Sequence, residues 1–541
     1  MDDSLIPGTQ RLELGNRGAV LLCPTPSNDP NDPLNWSTTR KSIHVALLSL
    51  YTILVFGTLC VGTPVWNDLN VELGISFDNL NYGYAACQGA MALGCVVCVP
   101  LAQRYGRRPV YIVTSLVMIA SAVWLARMKT SGDYFGASVL YGLAGCVNEA
   151  LFQITIADLF FVHQRGTLTG IYVANLIIGN YLSPVAGGYI GQNQGWRWTY
   201  WWCTILLSVM TVLLILFLEE SKVNISRVHG RSLDDVSDVQ HSKEEKATPV
   251  NTKSALEPTP EALVHSTVTY TRDSRREDRF DPSIPTHSYR KRYAMITRAE
   301  GREPLGMFLT RRITRPLMLV MQLPAVLFTS VQYGWTMTLL VVCATTQATI
   351  LPYPPYSFSS IGVGNMSLPP AIGAILGSVF GGPVVDFMIV QVSRRRNGIY
   401  EPETRLWLYL VPGFTGAAGM WMYGLTIAKG MPWIINAVGA GLMGFAIGGC
   451  SDMAVTYMQD SYQGVLGDAL VASVFIRNSL ATGLIFAVPA WQATDGTYNM
   501  FVILGVLTLV IFSACLPMII WGRSFRGRTA AKYTMYAAEH I

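Results

Sequence analysis

The residues that ask for a chemical explanation are a few ionisable side chains set inside long apolar stretches. Glu149 lies in one such run with Gln153 one helical turn on, Asp452 lies in a second, and Asp468 and Arg477 lie in a third. A charge at mid-bilayer costs at least about 2.5 kcal/mol, so it faces a cavity or a partner. Low-dielectric surroundings disfavour the charged form of a carboxyl, which is what a group that takes up and releases a proton requires. Glu149, Asp452 and Arg477 are therefore candidates for proton coupling or substrate binding. The competing reading is a structural ion pair of Arg477 with Asp452 or Asp468. Asn175, Tyr181, Gln332, Tyr333, Trp335 and Tyr457 are candidates to line a cavity, because aromatic faces suit flat or cationic organic molecules. Trp66 and Trp491, near the ends of their runs, read instead as anchors at the membrane interface.

No enzyme constellation competes with this reading. GxSxG, the nucleotide-binding GxxxxGK[ST] and HExxH are all absent, and the seven histidines are scattered, so no cofactor or metal is expected. Without a nucleotide motif, an ion gradient is the expected driver. Nearly all of the ten cysteines lie in apolar runs, unlike a secreted disulfide framework. Cys95 and Cys98 form a CxxC with no strand or second CxxC beside it, and read as small apolar residues on a lipid-embedded helix.

The elements that must position these groups follow from composition. Of 541 residues 51% are hydrophobic and 13% charged, about half the charged share of a soluble globular protein. Runs long enough to cross a bilayer as helices lie near 43–65, 81–102, 109–128, 135–157, 168–190 and 198–219, and again near 316–345, 363–390, 406–427, 432–457, 465–490 and 499–521. The expectation is an all-α membrane protein of twelve transmembrane helices in two six-helix bundles, residues 43–219 and 316–521. Residues 1–42 and 522–541 form terminal tails. The polar stretch 220–315 is too poor in large apolar residues to fold alone and reads as a linker. No apolar signal region precedes the first run.

Lys and Arg of the short loops set the orientation. Arg40, Lys41, Arg104, Arg107, Arg108, His163, Arg165, Arg394, Arg395, Arg396, Arg405, Arg523, Arg526 and Arg528 share one side if both termini are cytosolic. This bias explains the net charge of +5 without a nucleic-acid partner. A weak internal repeat places Asn148-Glu149 against Ser451-Asp452 and Asp158 against Asp460. Two such parallel halves are a recurring transporter plan, with the substrate site between them near the midplane. Gly179, Ser183 and Gly187 fall on one helical face, as do Gly373, Gly377 and Gly381, and Gly444 and Gly448; such faces allow close packing, static or sliding. Pro184 and Pro324 are expected to kink their helices.

The stretch Pro100-Leu-Ala-Gln-Arg-Tyr-Gly-Arg-Arg-Pro109 resembles the loop signature GxxxDRxGRR of the major facilitator superfamily. Arg104, Gly106, Arg107 and Arg108 match, with Val99 and Gln103 in place of the glycine and the aspartate; the second half keeps Gly382 and Asp386. Gly179-Asn-Tyr-Leu-Ser-Pro-Val-Ala-Gly-Gly188 looks like the antiporter motif GxxxGPxxGG, with Ser183 for the central glycine. Asp32-Pro-Leu-Asn-Trp-Ser37, Gly195-Trp-Arg-Trp-Thr-Tyr-Trp201, Gln332-Tyr-Gly-Trp335 and Glu401-Pro-Glu-Thr-Arg-Leu-Trp407 are similar to the fungal twelve-span drug:proton antiporters. The resemblance implies a major facilitator fold and alternating access. It implies conformational roles for Arg104, Gly106, Arg107, Arg108, Asp386, Gly179, Ser183, Pro184, Gly187 and Gly188. It also implies export of a small organic molecule, such as a drug, secondary metabolite or organic acid, in exchange for protons.

The expected partners are a small-molecule substrate, protons and the lipid bilayer, with the chain a monomer in the plasma membrane. Proton-coupled uptake of an organic cation such as a polyamine, and a non-transporting receptor on a transporter scaffold, are the alternatives. Asn365-Met-Ser367 is a candidate glycosylation sequon, with Asn35 and Asn224 expected on the cytosolic side.

Overall fold

A computed structural model describes residues 7–8, 10–11, 29–160, 162–221, 292–293, 304–395 and 399–538. Most of the expected linker, including the Asn224 sequon, and Arg396 lie outside the described residues, as do the side chains of His163 and Arg165.

Ten described helices are long and apolar enough to cross a membrane. One of them, Leu466–Ala537, runs for 72 residues, far more than one crossing needs. Its backbone leaves the helical region at Gly496 (φ 74°, ψ 159°), which divides it. The 26-residue helix Glu403–Ala428 adds a further span, lowered in hydropathy by its glycines, threonines and Pro412. Twelve spans result. The first six are α1 (Thr38–Cys60), α2 (Phe77–Tyr105), α3 (Arg107–Ala126), α4 (Ser131–Leu159), α5 (Leu168–Gln194) and α6 (Trp196–Phe217). The second six are α7 (Pro324–Ile350), α8 (Ser360–Arg395), α9 (Glu403–Ala428), α10 (Trp433–Ser461), α11 (466–495) and α12 (497–513, continued by Cys515–Ala538). A two-residue strand pair, Gln10–Arg11 with Ile399–Tyr400, is the β structure among the described residues.

Local chemistry sets many boundaries. Ser37, Ser76 and Thr130 accept hydrogen bonds from the backbone N–H groups that α1, α2 and α4 leave open, and Asp133 completes a capping box with Thr130. Gly106 joins α2 to α3 at φ 117°, where a side chain would be strained. Pro324 does not kink a helix interior. It opens α7, where a missing N–H costs nothing, after the separate helix Leu305–Gln322 ends at Leu323. Pro184 follows a π-helical turn, Ile178–Leu182, which widens α5 and takes up the proline.

The spans pack as two six-helix bundles, an N-bundle (α1–α6) and a C-bundle (α7–α12). Within the N-bundle the Gly179/Ser183/Gly187 face of α5 lies on α1: a Cβ on Gly179 would stand 2.8 Å from Phe56 Cβ, and one on Gly187 would strike the Val61 carbonyl. Within the C-bundle Gly373 and Gly377 of α8 interlock with α10 against the Gly441 and Phe445 carbonyls. Between bundles, α2 crosses α11 and α5 meets α8. Trp66 is fully buried against Tyr84, at 6.3 Å between ring centroids, and so is no interface anchor.

One end of the molecule, the near end, carries the described parts of both tails and a set of ion pairs. Arg40 pairs with Glu219, Arg107 with Asp158 (3.0 Å), Arg405 with Asp386 (2.9 Å) and Asp460 (3.4 Å), and the fully buried Arg526 with Glu403 (2.6 Å). The Arg107–Asp158 and Arg405–Asp460 pairs are equivalent: each joins the start of the third helix of its half to the end of the fourth. Helix Leu305–Gln322 sits at this end too, with Arg315 on Asp468 at 2.9 Å and Phe308 under the Arg104 guanidinium at 5.2 Å. At the opposite, far end, Glu72 holds Arg197 and Trp196, and Ser360 donates to Asp68 across the bundle interface at 3.0 Å.

Candidate functional site

The centre of the interface is built from α4, α7 and α11. Glu149 stands just after a break at Cys146 in α4 and is 2% exposed. Arg477 of α11, also 2% exposed, donates through Nη2 to Glu149 Oε1. Asn478, the next residue, donates from Nδ2 to Glu149 Oε2 at 2.8 Å. The carboxylate of one bundle is thus gripped through both oxygens by the other. Among the described residues this is the ion pair that joins the bundles; the near-end and far-end pairs each stay within one half or tie the Leu305–Gln322 helix to the C-bundle.

Tyr333 belongs to the same cluster: its hydroxyl accepts from Arg477 Nη1 at 2.7 Å, and the guanidinium carbon lies 4.9 Å from its ring centroid. Tyr172 of α5 donates to the Glu149 carbonyl at 3.4 Å and packs on Phe152 at 5.0 Å. Gln332 and Trp335, the neighbours of Tyr333, spend their polar atoms elsewhere. Gln332 donates to the Ile511 carbonyl at 2.7 Å and accepts from Tyr409 at 2.9 Å, which ties α7 to α12 and α9, and Trp335 donates to Thr508 of α12 at 3.0 Å. Tyr457 is fully buried 6.0 Å from Phe328. Asn175 is buried on α5 with its Nδ2 unpartnered among the described residues.

Asp452 and Asp468 do not pair with Arg477. Asp468 is taken by Arg315 and Arg312 at the near end. Asp452 forms no ion pair among the described residues; its Cβ lies 3.3 Å from where a Cβ on Gly381 of α8 would stand. The alternative of an intra-bundle ion pair for Arg477 is therefore replaced by one across the interface. Tyr181 is buried with its hydroxyl unpartnered among the described residues.

The glycine and arginine motifs frame this centre. Gly188 lies beneath the Ser360 carbonyl of α8, so the end of the α5 motif touches the other bundle, whereas Gly179, Ser183 and Gly187 face α1 in their own. Arg107 and Arg108 offer their backbone N–H groups, at the open start of α3, to the Glu220 carboxylate at 2.9 and 3.2 Å, and Arg108 caps the Ile215 carbonyl at 2.7 Å. Asn365 is half-buried at the end of a short helix whose Gly364 packs on α5, and Ser367 is buried.

Twelve spans in two halves, closed around a buried acid–base pair that belongs to both, define a membrane transporter. The chain belongs to the Major Facilitator Superfamily, whose family model matches residues 47–484. It is similar to an uncharacterized MFS-type transporter of Schizosaccharomyces pombe, with 31% identity over 95% of this chain and 90% of the relative. It is also similar to the protein HOL1 of Saccharomyces cerevisiae, with 28% identity over 96% and 95%, and to the efflux pump radE of Floropilus chiversii, with 25% identity over 86% and 77%.

Proposed function

We propose that the protein is a proton-coupled exporter that exchanges protons for a small organic molecule by alternating access. The observation that carries this reading is the Glu149 carboxylate, buried between the bundles and held by Arg477 and Asn478 of the opposite one. A proton on Glu149 removes the charge that binds the bundles together, so protonation and separation of the bundles become one event. Removing one member of a buried pair typically costs about 3–5 kcal/mol, enough to bias a two-state equilibrium strongly. Asp452, Asn175, Tyr333 and Tyr457 would shape the binding space, with Gln332 and Trp335 holding α7 in place. The Arg104–Arg108 loop and Asp386 would stabilise the state closed at the near end. The near end, where the loop arginines gather, would face the cytosol with both termini, in the plasma membrane. The boundaries 43–219 and 316–521 for the bundles, with 220–315 as linker, belong to the same reading, as does a monomeric state. The name of the radE relative supports the export direction.

Proton-coupled uptake of an organic cation is the second reading, favoured by the Asp452 carboxylate, which has no ion-pair partner among the described residues. Sealed vesicles under an imposed proton gradient decide between the two, with a dye, an organic acid, a polyamine and a polyketide as candidates. Gradient-driven efflux that is lost in Glu149→Gln is the expected result. Unchanged rate and pH dependence in that variant would sink the coupling role, and accumulation along the proton gradient would make the protein an importer.

A further inference from the structure

Arg477 and Glu149 are unequal partners. Apart from Glu149, the hydrogen-bond partners of the guanidinium among the described residues lie in its own bundle. Nη1 donates to the Tyr333 hydroxyl at 2.7 Å, and Nε and Nη2 donate to Asn478 Oδ1 at 3.2 and 3.1 Å. Backbone packing fixes this arrangement, because a Cβ on Gly334 would stand 3.2 Å from the Arg477 Cα and 2.7 Å from Leu480 Cδ1. Only a glycine beside Tyr333 lets α7 lie this close to α11. Among the described residues the Glu149 carboxylate has no hydrogen-bond partner in the N-bundle. The other ionisable groups around it are the Cys87 and Cys95 thiols of α2, Cys146 on its own helix and Tyr172 of α5, whose hydroxyl goes to the Glu149 backbone.

A bare guanidinium left in a dry interface is strongly unfavourable, so a pair that must open repeatedly needs a substitute partner on one side. We infer that Tyr333 and Asn478 are the neutral partners that retain Arg477 in the C-bundle when Glu149 takes a proton, and that they thereby set the pH at which the bundles part. This rests on the proton coupling proposed above. The proton enters from water onto a Glu149 oxygen and no other covalent bond changes. Tyr333 and Asn478 act through Arg477 and are positioning residues.

The two residues are separable by sign. Tyr333→Phe removes the hydroxyl and keeps the ring. Arg477 then relies more on Glu149, the pair tightens, and more acid is needed to open it. Asn478→Asp gives Arg477 a charged partner in its own bundle, removes the amide donor to Glu149 and repels the Glu149 carboxylate. All three effects loosen the pair and move opening toward alkaline pH.

The experiment uses the full-length protein in lipid nanodiscs with spin labels at Val71 and Met431, exposed far-end positions of the two bundles, introduced as genetically encoded residues so that the native cysteines stay. The inter-label distance is followed across a pH titration without substrate. The expected result is an acid shift of the midpoint in Tyr333→Phe of about half a unit or more, the size one hydrogen bond to a charged group supports. Asn478→Asp is expected to shift it by about a unit or more in the alkaline direction. Either variant alone decides its sign, so misfolding of one, seen by size exclusion, leaves the other as the test. Wild-type midpoints, or shifts of both variants in one direction, overturn the inference while a Glu149→Gln control that no longer titrates leaves the proton coupling standing. A Glu149→Gln control that titrates like the wild type overturns the coupling itself, and this inference with it.

Discussion

Gly364 lies under Pro184 so closely that a Cβ on the glycine would stand 2.6 Å from the proline carbonyl oxygen. The two residues belong to different bundles, and with Gly188 beneath the Ser360 carbonyl they make a backbone-on-backbone seal at the far end. Helices approach this closely in lipid only where small residues permit it. Gly364→Val should therefore leave each bundle folded and keep the far end from closing. The expected result is a transport rate at least about tenfold lower, the effect of some 1.4 kcal/mol against the closed state. The far-end label separation should also stay long at every pH. A variant that transports like the wild type would show that the seal is looser than this geometry.

A stability test falls on Arg526 and Glu403. Arg526 is 0% exposed and meets both carboxylate oxygens, at 2.8 and 2.6 Å. Arg526→Ala strands a buried carboxylate and should cost about 3–5 kcal/mol. Arg526→Lys should recover only part of this, because an ammonium cannot reproduce the two-pronged grip. The double variant Glu403→Gln with Arg526→Met should be more stable than Arg526→Ala, since neither side is left charged. Melting temperatures of the four proteins in detergent check the order; equal values would mean that water reaches this site.

How much of this was legible in the sequence differs by element. Lipid leaves an unpaired backbone no alternative to helix, so the apolar runs located the spans to within a few residues. The run 316–345 does not reveal the break at Pro324, because the sequence is apolar on both sides of Leu323, where one helix ends and the next begins. Glu149 stood out as an intramembrane acid, yet its partner lies 328 residues away, a relation no local pattern carries. One alternative could have been discarded by arithmetic. Asp468 and Arg477 are nine residues apart on one helix, about 13 Å along the axis, too far for a direct pair. Asn478 has no motif to mark it, although it adjoins Arg477. An amide beside a mid-membrane arginine is itself a costly group, and that was the available signal.

The equivalence of Arg107–Asp158 and Arg405–Asp460 leads to a third expectation. Both pairs tie the third helix of a half to the end of its fourth, but the C-bundle arginine has a second acid, Asp386, and its Asp460 also accepts from Tyr400 at 2.5 Å. Asp158→Asn leaves the Arg107 guanidinium without its carboxylate partner among the described residues, whereas Asp460→Asn leaves Arg405 paired to Asp386. The first should perturb the near end more. Hydrogen exchange at the start of α3 should rise more in Asp158→Asn than exchange at the start of α9 rises in Asp460→Asn. The reverse order would mean that the exposed Asp386 contributes little to holding Arg405.

The last expectation concerns the N-terminal segment, which precedes the N-bundle in sequence but docks on the C-bundle. Gln10–Arg11 pair with Ile399–Tyr400, and the Pro7 carbonyl accepts from Arg526. Between them Gly8 sits at φ +83°, where a Cβ would meet the Asp460 carbonyl oxygen at 2.7 Å and the Ser461 Cα at 2.9 Å. A non-glycine residue is thus excluded twice, by backbone conformation and by the end of α10. Gly8→Val should undock the segment at a cost of about 1–2 kcal/mol, the scale of one strained residue. Faster amide exchange at Ile399 and Tyr400 is the signature, because their strand partner is lost, while Glu403–Arg526 keeps the C-terminal helix in place. Exchange at these two amides equal to that of the wild type would show that the strand pair does not depend on the Gly8 turn. Slower unfolding of the variant would show that the docked segment strains the end of α10.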